Sequence, residues 1–195
     1  MKMKTSHYRS NVNEELGKLG EENVYKALNG IDAKFLFNLY VPYNNSTSEI
    51  DLVVICPHNI YVIESKNYRG FIYGKEEDEY WVQKVGNRNK TNCNTFYNPI
   101  KQNDVHIKAL EQFINEPMLN IVVFSNISKI NIKSSSIVVQ TRDIKNTITQ
   151  IEQSSKNTIN IEDVYNILKN FQTQCEEIKE EHIQNLTNNN FCNII

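Results

Sequence analysis

Three charged side chains lie at one end of two apolar segments that would pair as strands. Asp51 precedes the apolar residues 52–56, Glu64 and Lys66 follow the apolar residues 60–63, and a short turn separates the segments. Antiparallel pairing about that turn would bring the three side chains together. Three charged side chains are not expected in an ordinary apolar core, because buried charge without a partner is unfavourable. Two carboxylates beside an ammonium group are instead typical of a divalent-metal site with an adjacent lysine.

The chemistry that these groups could carry out is hydrolysis of a phosphodiester. A hard cation such as Mg²⁺ or Mn²⁺ binds carboxylate oxygens, polarises a phosphate and lowers the pKa of a bound water. Lys66 would add positive charge where negative charge develops on the phosphate. Glu49 alternates with Asp51 along one strand, so the two acids share a face. The alternative is a surface salt bridge between Lys66 and an acid, which would contribute less than ~1 kcal/mol.

A fourth acid, Glu21, lies in the first predicted helix, residues 11–29, which ends at Gly30. Gly17 and Gly20 each weaken that helix, but their spacing puts them on one face, where the backbone can approach a neighbour closely. Glu21 follows directly. On the helix alone, a solvated acid is the simpler interpretation, and only the nearby acidic hairpin makes Glu21 a candidate ligand.

A basic and aromatic stretch runs from residue 81 to residue 101 and contains no acidic residue. Its basic residues are Lys84, Arg88, Lys90 and Lys101, and its aromatic residues are Trp81, Phe96 and Tyr97. Charge for phosphates combined with aromatic faces for bases is typical of a nucleic-acid groove. A polar, mobile loop that happens to lack acids explains the composition equally well, and both interpretations stay open.

The remaining pattern predicts one mixed α/β domain. Strands are expected over residues 35–41, 49–56, 60–66, 119–125 and 137–140, with a polar loop at 42–48 and a second hairpin formed by 71–74 and 80–85 around the acidic turn 76–79. Helices are expected from the Asn98 cap and Pro99 to residue 115, and over 143–153, 161–171 and 175–186. His106 on the second helix is interpreted as packing, because no partner lies at metal-binding spacing.

Composition limits the classes of protein to consider. The chain has 195 residues, 39% hydrophobic and 23% charged, with a net charge of −2, which fits one soluble globular domain and no generally basic nucleic-acid binder. No apolar run is long enough to cross a membrane, and the first residues do not resemble a secretory signal. The four cysteines show no paired spacing, so reduced thiols in a cytoplasmic protein are expected.

The Asp-x12-Glu-x-Lys spacing of the acidic hairpin resembles the active site of the restriction-endonuclease-like PD-(D/E)xK nucleases, and most closely that of the nuclease-related (NERD) domain branch. The motifs that carry the resemblance are Gly17-Lys18-Leu19-Gly20-Glu21, Ser48-Glu49-Ile50-Asp51, Ile63-Glu64-Ser65-Lys66-Asn67-Tyr68 followed by Gly70 and Gly74, Trp81, and Asn98-Pro99-Ile100-Lys101-Gln102. They span residues 11–125. The strand and helices of residues 136–186 and the tail 187–195 carry no motif of their own.

This resemblance implies a restriction-endonuclease-like core in which a central mixed sheet is flanked by helices. The order would be helix-strand-strand-strand-helix-strand, with a hairpin insertion and C-terminal helices. Asp51 and Glu64 would hold Mg²⁺ or Mn²⁺, and Glu21 would complete the metal site. Lys66 would orient or activate the attacking water, and Gln102 would position Lys66 or the substrate. Glu49 has a place in the motif as an auxiliary residue without an assigned role.

Two functions of different classes fit these residues. The favoured one is a metal-dependent nuclease that hydrolyses phosphodiester bonds in nucleic acid, with DNA preferred to RNA. The alternative is a catalytically silent nuclease-like module that binds nucleic acid or a partner protein in DNA processing, plasmid or defence functions. A purely structural protein would leave the charged hairpin unexplained. Pairing into a homodimer, as in many nucleases of this fold, is left open.

Overall fold

A computed structural model of the chain describes residues 3–87 and 90–173. The helices are α1 (Met3–Ala27), α2 (Pro99–Leu110), α3 (Ile144–Ser154) and α4 (Ile161–Thr173). The strands are β1 (Lys34–Tyr43), β2 (Ser46–Ile55), β3 (Ile60–Lys66), β4 (Gly70–Lys75), β5 (Tyr80–Asn87), β6 (Lys90–Tyr97), β7 (Met118–Phe124), β8 (Ser128–Lys133) and β9 (Ile137–Gln140). The predicted helix at 175–186 and the tail at 187–195 lie outside the described residues.

The strands form two mixed sheets, which confirms the predicted mixed α/β class. Their strand orders are β1-β2-β3-β7-β9 and β6-β5-β4-β8. Strand β9 is parallel to β7, and β8 is parallel to β4, whereas the β1–β2, β2–β3, β4–β5 and β5–β6 pairs are antiparallel. The described residues fall into two compact units. The first contains residues 3–31, Glu64–Gln102 and Ile121–Ser154, and the second contains Asp32–Ile63, Asn103–Asn120 and residues 155–173. The prediction of a single domain over residues 1–195 stays a prediction.

In the second unit, β2 and β3 form the predicted hairpin. Leu52 lies opposite Ile63 and Ile55 opposite Ile60 in the antiparallel register. The turn is closed by Cys56, whose backbone N–H donates to the Asn59 carbonyl at 3.0 Å. The strands are rich in β-branched residues and buried along most of their length, which suits the interior of a sheet.

The loop predicted at residues 42–48 is wrong, because β1 and β2 continue through it to a tight turn. Tyr43 pairs with Ser46, and the two residues between them, Asn44 and Asn45, have φ of 48° and 60°. Two successive left-handed residues match the twist of the flanking strands, and asparagine adopts that conformation more readily than most residues. The polarity of this stretch therefore marks a hairpin turn.

The second unit encloses its own apolar core with buried polar contacts at the edge. Its core residues are Leu36, Leu39, Val41, Ile50, Val53, Ile55, Ile60, Val62, Ala109, Leu110, Ile114, Ile159, Val164 and Leu168. His106 is buried, and its Nδ1 lies 2.6 Å from Ser48 Oγ, in agreement with a packing role. Asn103 Nδ2 donates to the Val62 carbonyl at 2.7 Å.

The first unit is built around Trp81, which is fully buried. Its ring packs against those of Phe96 and Phe124, and its Nε1 donates to the Lys75 carbonyl at 2.8 Å. Gly74 makes room for it, since a Cβ there would lie 2.3 Å from the indole ring. The hairpin of β4 and β5 is confirmed. Strand β6 was not predicted, because five of its eight residues are polar, and all five are exposed.

The helix α1 begins earlier than predicted and ends near the predicted position. It runs to Ala27, and Gly30 follows with φ of 81°, in the left-handed region typical of a helix end. Val24 is buried as the apolar pattern predicts, whereas Leu16 and Leu19 are 45% and 48% exposed. Within the described residues, no helix is both long and apolar enough to span a membrane.

Candidate active site

The first unit brings three of the predicted site residues together at the end of β3. Lys66 Nζ donates to the carboxylate of Glu64 and, at 3.2 Å, to Oε1 of Gln102. Glu64 is only 1% exposed, and the side chain of Lys66 is 18% exposed. The ammonium is thus held from two sides on a mostly buried strand end. A cation fixed in this way acts on a neighbouring anion without the reorganisation that a solvated lysine would require.

Gln102 reaches Lys66 because Asn98 fixes the first turn of α2. The Oδ1 of Asn98 accepts a hydrogen bond from the Ile100 N–H at 2.9 Å, which is the helix-cap contact expected of asparagine. Its Nδ2 also donates to carbonyls of the β4–β5 turn, those of Glu76 at 3.0 Å and Asp78 at 2.8 Å. Asn98 itself is fully buried. The predicted cap therefore also ties α2 to the hairpin before it.

Gly20 allows α1 to lie directly against the residues around Lys66. A Cβ at Gly20 would lie 2.9 Å from the Cβ of Asn67 and 3.3 Å from the Oγ of Ser65. Asn67 Nδ2 also donates to the Leu16 carbonyl of α1 at 2.7 Å. Gly17 meets nothing within 4 Å, so the close approach predicted for both glycines is confirmed for Gly20 alone.

A cavity of about 1200 Å³ opens beside Lys66 in the first unit. Lys66, Arg69 and Arg142 contribute positive charge to its wall, and none of the described residues that line it is acidic. Apolar contacts come from Leu16, Leu19 and Ile127, which are all well exposed to solvent. The cavity can therefore attract an anion and offer apolar surface to the same molecule.

Asp51 and Glu49 lie on β2, in the second unit. Glu49 is exposed, and its Oε1 accepts a hydrogen bond from the Tyr40 hydroxyl at 2.6 Å. Asp51 is partly buried. The pairing with β1 is broken opposite Asp51, where Asn38 has φ of 50° between two regular pairs. A left-handed residue within a strand is costly, and such distortions are frequent beside functional residues.

Within the described residues, no group of three or more His, Cys, Asp and Glu side chains is arranged to hold a metal ion. Mg²⁺ sites commonly use only one or two carboxylates, with waters and substrate phosphates completing the shell. Glu64 offers a carboxylate of the required chemistry. Glu21 is partly buried on α1, directly after Gly20. The roles of Glu64, Asp51 and Glu21 as metal ligands stay predictions.

The comparison with known families bears on these residues. The sequence pattern of the nuclease-related domain (NERD) family matches residues 16–125. This segment contains the candidate catalytic and metal-binding residues, which are Glu21, Glu49, Asp51, Glu64, Lys66 and Gln102. The chain belongs to this family. A protein of Bacillus anthracis described as uncharacterized is 28% identical over 183 residues, which cover 88% of this chain and 84% of that protein. No solved structure matches.

The predicted nucleic-acid groove of this nuclease-related domain needs one correction, at Trp81. That side chain has no exposed surface, so it cannot stack on a base. Lys84 is exposed and lies on the opposite face of β5, with its Nζ 5.0 Å from the centre of the Tyr73 ring. Lys90 is exposed on β6, Lys101 Nζ donates to the Glu77 carbonyl at 2.7 Å, and Arg88 lies outside the described residues.

Two basic residues of the cavity were missed by sequence reasoning. Arg69 is exposed three residues after Lys66, so its closeness to the Glu-x-Lys motif was an available signal. Arg142 follows β9, far along the chain, and donates to Gln140 Oε1 at 2.5 Å. Nothing in the sequence links Arg142 to the Glu-x-Lys motif, because Arg142 and Lys66 come to line the same cavity only when the first unit folds.

Proposed function

We propose that this nuclease-related domain is a metal-dependent nuclease that hydrolyses phosphodiester bonds, with DNA as the favoured substrate. The observation that carries the proposal is the position of Lys66. It is held by Glu64 and Gln102 and opens onto a basic cavity that has no acidic residue among its described lining. A site built only as a structural ion pair would have no need of such a cavity.

The proposed metal is Mg²⁺ or Mn²⁺, held by carboxylates of Glu64 and Asp51, with Glu21 as a third candidate. Asp51 and Glu64 are the two acids of the Asp-x12-Glu-x-Lys spacing on which the family resemblance rests. Hard oxygen donors suit these cations. When bound, such an ion would polarise the phosphate and supply an acidified water.

Lys66 would act on the reacting phosphate. Its ammonium can donate to a non-bridging phosphate oxygen or hold the attacking water, and it favours the charge that develops in the transition state. Gln102 accepts from Lys66 and so acts as a positioning residue, keeping Nζ at the cavity. Arg69 and Arg142 would bind phosphates on either side of the scissile bond, because guanidinium groups pair well with phosphate oxygens.

A catalytically silent binding module is the second candidate, and the Lys66–Glu64 ion pair itself is compatible with it. A lysine that already has a carboxylate partner can stabilise a nuclease-like fold without taking part in chemistry. In that case the basic cavity would hold nucleic acid or an acidic segment of a partner protein and release it unchanged. The cytoplasmic setting and the homodimer also stay predictions.

The test is cleavage of labelled linear, circular and single-stranded DNA and RNA in Mg²⁺, Mn²⁺ or EDTA. The variant is Lys66→Ala, and the matched control is Lys26→Ala, which removes another lysine paired with a glutamate, Glu22, at 3.3 Å on the surface of α1. We expect metal-dependent cleavage that falls by about 10²–10³ in Lys66→Ala, the usual loss of one transition-state donor, and is unchanged in Lys26→Ala.

Circular substrate cut by the wild type would identify an endonuclease, and cleavage of linear DNA alone would identify an exonuclease. Equal cleavage by wild type and Lys66→Ala would remove this lysine from the mechanism. If neither protein cuts in any metal but both retard DNA in a gel, the silent binding module is correct and the nuclease proposal is wrong.

A further inference from the structure

The four-stranded sheet has an outer face that differs from its buried face. Along β4, β5 and β8 the buried residues alternate with exposed ones, so one face packs on Trp81 and the other is open. The outward positions are Phe71, Tyr73, Lys75, Tyr80, Val82, Lys84, Thr91, Cys93, Thr95, Tyr97, Lys129, Asn131 and Lys133. None of these described outward residues is acidic, and four are lysines.

At the centre of this face is a group that we call the aromatic–lysine patch, formed by Phe71, Tyr73, Lys84 and Lys129. The rings of Phe71 and Tyr73 are nearly parallel, with centroids 6.3 Å apart and an interplanar angle of 16°. The Nζ of Lys129 lies 5.1 Å from the centre of the Phe71 ring, and that of Lys84 lies 5.0 Å from the Tyr73 ring. Phe71 is 44% exposed.

Adjacent exposed rings surrounded by polar residues are typical of a surface that binds a partner. The strand pairing fixes the rings, because Phe71 lies between Lys84 of β5 and Lys129 of β8. The lysines are long and solvent-exposed, so their contact with the rings is weak and exchangeable for a phosphate contact. The patch thus has two adjacent ring faces and two mobile cations.

We propose that the aromatic–lysine patch binds single-stranded nucleic acid, with unpaired bases stacked on Phe71 and Tyr73 and phosphates held by Lys84 and Lys129. Charge complementarity favours a polyanion, and the rings favour one whose bases are free to stack, which duplex DNA does not offer. Phe71 lies near the start of β4, and the carboxylates of the turn 76–79 follow its end. The bound nucleic acid would therefore lie away from the end of β4. This binding does not require the proposed hydrolysis.

The experiment measures binding of fluorescein-labelled oligo-dT and oligo-U by anisotropy, in EDTA and at several salt concentrations. One variant is Phe71→Leu with Tyr73→Leu, which keeps apolar volume but removes the rings. A second is Lys84→Ala with Lys129→Ala. Its matched control is Lys108→Ala with Lys156→Ala, which removes two exposed lysines of the second unit and gives the same net charge.

We expect the ring variant to bind about 10-fold or more weakly, because each of the two stacked bases contributes a factor of about 5 or more. The Lys84 and Lys129 variant should weaken binding and lower the slope of log affinity against log salt by about 1.4, since two single-strand phosphate contacts are lost. The control pair should bind like the wild type. Oligo-U compared with oligo-dU, which carries the same base, identifies the sugar that the patch prefers.

Wild-type affinity in the ring variant would overturn the proposal. So would an abasic oligonucleotide that binds as tightly as oligo-dT, because stacking would then contribute nothing, or the absence of any binding by the wild type. The emission of Trp81, the only tryptophan of the chain, checks that each variant is folded. In the Lys66→Ala background the ring substitutions should cause the same fold-loss of binding as in the wild type, so failure of cleavage and failure of this patch are separate results.

Discussion

Gly20 of α1 and Asn67, which follows the Glu-x-Lys motif, are so close that a Cβ on the glycine would lie 2.9 Å from the Cβ of the asparagine. The clash would be with an atom attached to the backbone, which a side-chain rotation cannot move. Any larger residue at this position must therefore displace α1 from the segment that carries Lys66.

This relationship predicts opposite results for the two glycines of α1. Gly20→Ala should destabilise the protein by ~1–3 kcal/mol, the usual range for overpacking, and should reduce cleavage. Gly17→Ala, with nothing within 4 Å, should stabilise it by up to ~1 kcal/mol through helix propensity. Urea unfolding of both variants gives the two values. Stabilisation by Gly20→Ala would show that α1 does not press on Asn67.

The hydrogen bonds of Asn98 predict a large cost for its removal. Asn98→Ala loses a helix cap of ~1 kcal/mol and leaves partly buried carbonyls of the β4–β5 turn without their donor, for a total of about 2–4 kcal/mol. The control is Asn160→Ala, because Asn160 caps α4 on the surface by accepting from the Asp163 N–H at 3.3 Å. It should cost ~1 kcal/mol or less.

Thermal unfolding of the two asparagine variants tests this difference. A larger loss in Asn98→Ala than in Asn160→Ala assigns the excess to the turn contacts. Cleavage should also fall in Asn98→Ala at temperatures where the protein is folded, because Gln102 lies one turn beyond the cap and holds Lys66. Equal losses in the two variants would reduce Asn98 to an ordinary cap.

Local sequence patterns predicted the elements that depend on neighbouring residues. The β2–β3 hairpin followed from two apolar segments around a turn, and the α2 cap from Asn98-Pro99. The polarity of Asn44-Asn45 by itself predicts a loop, whereas the tolerance of asparagine for positive φ predicts the hairpin turn that is observed. The alternation of Phe71, Tyr73 and Lys75 was an available signal for an open sheet face.

Features that depend on distant parts of the chain could not be predicted in this way. In the sequence Trp81 lies among basic residues, which suggested a nucleic-acid groove. Its side chain is buried because Gly74, Phe96 and Phe124 surround it, and these residues meet only in the folded first unit. Strand β8 lies parallel to β4 from a distant part of the sequence, and no local pattern encodes such a pairing. The same reasoning applies to Arg142 at the cavity.

The hydrogen bonds of Glu76 predict that the stability of the folded protein depends on pH under strongly acidic conditions. Its carboxylate accepts from the backbone N–H of Ser135 at 2.7 Å and from the hydroxyls of Ser136 and Ser135 at 2.7 and 2.8 Å. These contacts, led by the Ser135 N–H, lower the pKa of Glu76 from 4.5 to about 2. Because the folded-state pKa is below the ordinary value, this stabilisation is complete above pH 4.5 and is lost as pH falls towards 2.

A carbon-detected NMR titration of the Glu76 carboxyl measures this pKa directly. Ser135→Ala with Ser136→Ala removes two of the three hydroxyl donors, so the pKa of Glu76 should rise towards 4.5 while the Ser135 backbone N–H and the Ser134 hydroxyl keep it below that value. A wild-type value near 4.5 would mean that the serine segment does not bind the carboxylate in solution.

The last prediction separates the two acids of β2. Asp51→Asn should weaken Mn²⁺ binding by at least the roughly 10- to 100-fold lost when an outer-sphere partner of a metal site is removed. Thermal stability should be kept, because asparagine has the shape of aspartate and carries no charge to desolvate at this partly buried position. Glu49→Gln is the matched control: glutamine can still accept from Tyr40, which donates to Glu49 at 2.6 Å, and Mn²⁺ affinity should not change. Titration calorimetry gives both affinities. Unchanged Mn²⁺ affinity in Asp51→Asn would exclude Asp51 as a ligand. A loss of Mn²⁺ affinity in Glu49→Gln would instead assign the ligand role to Glu49.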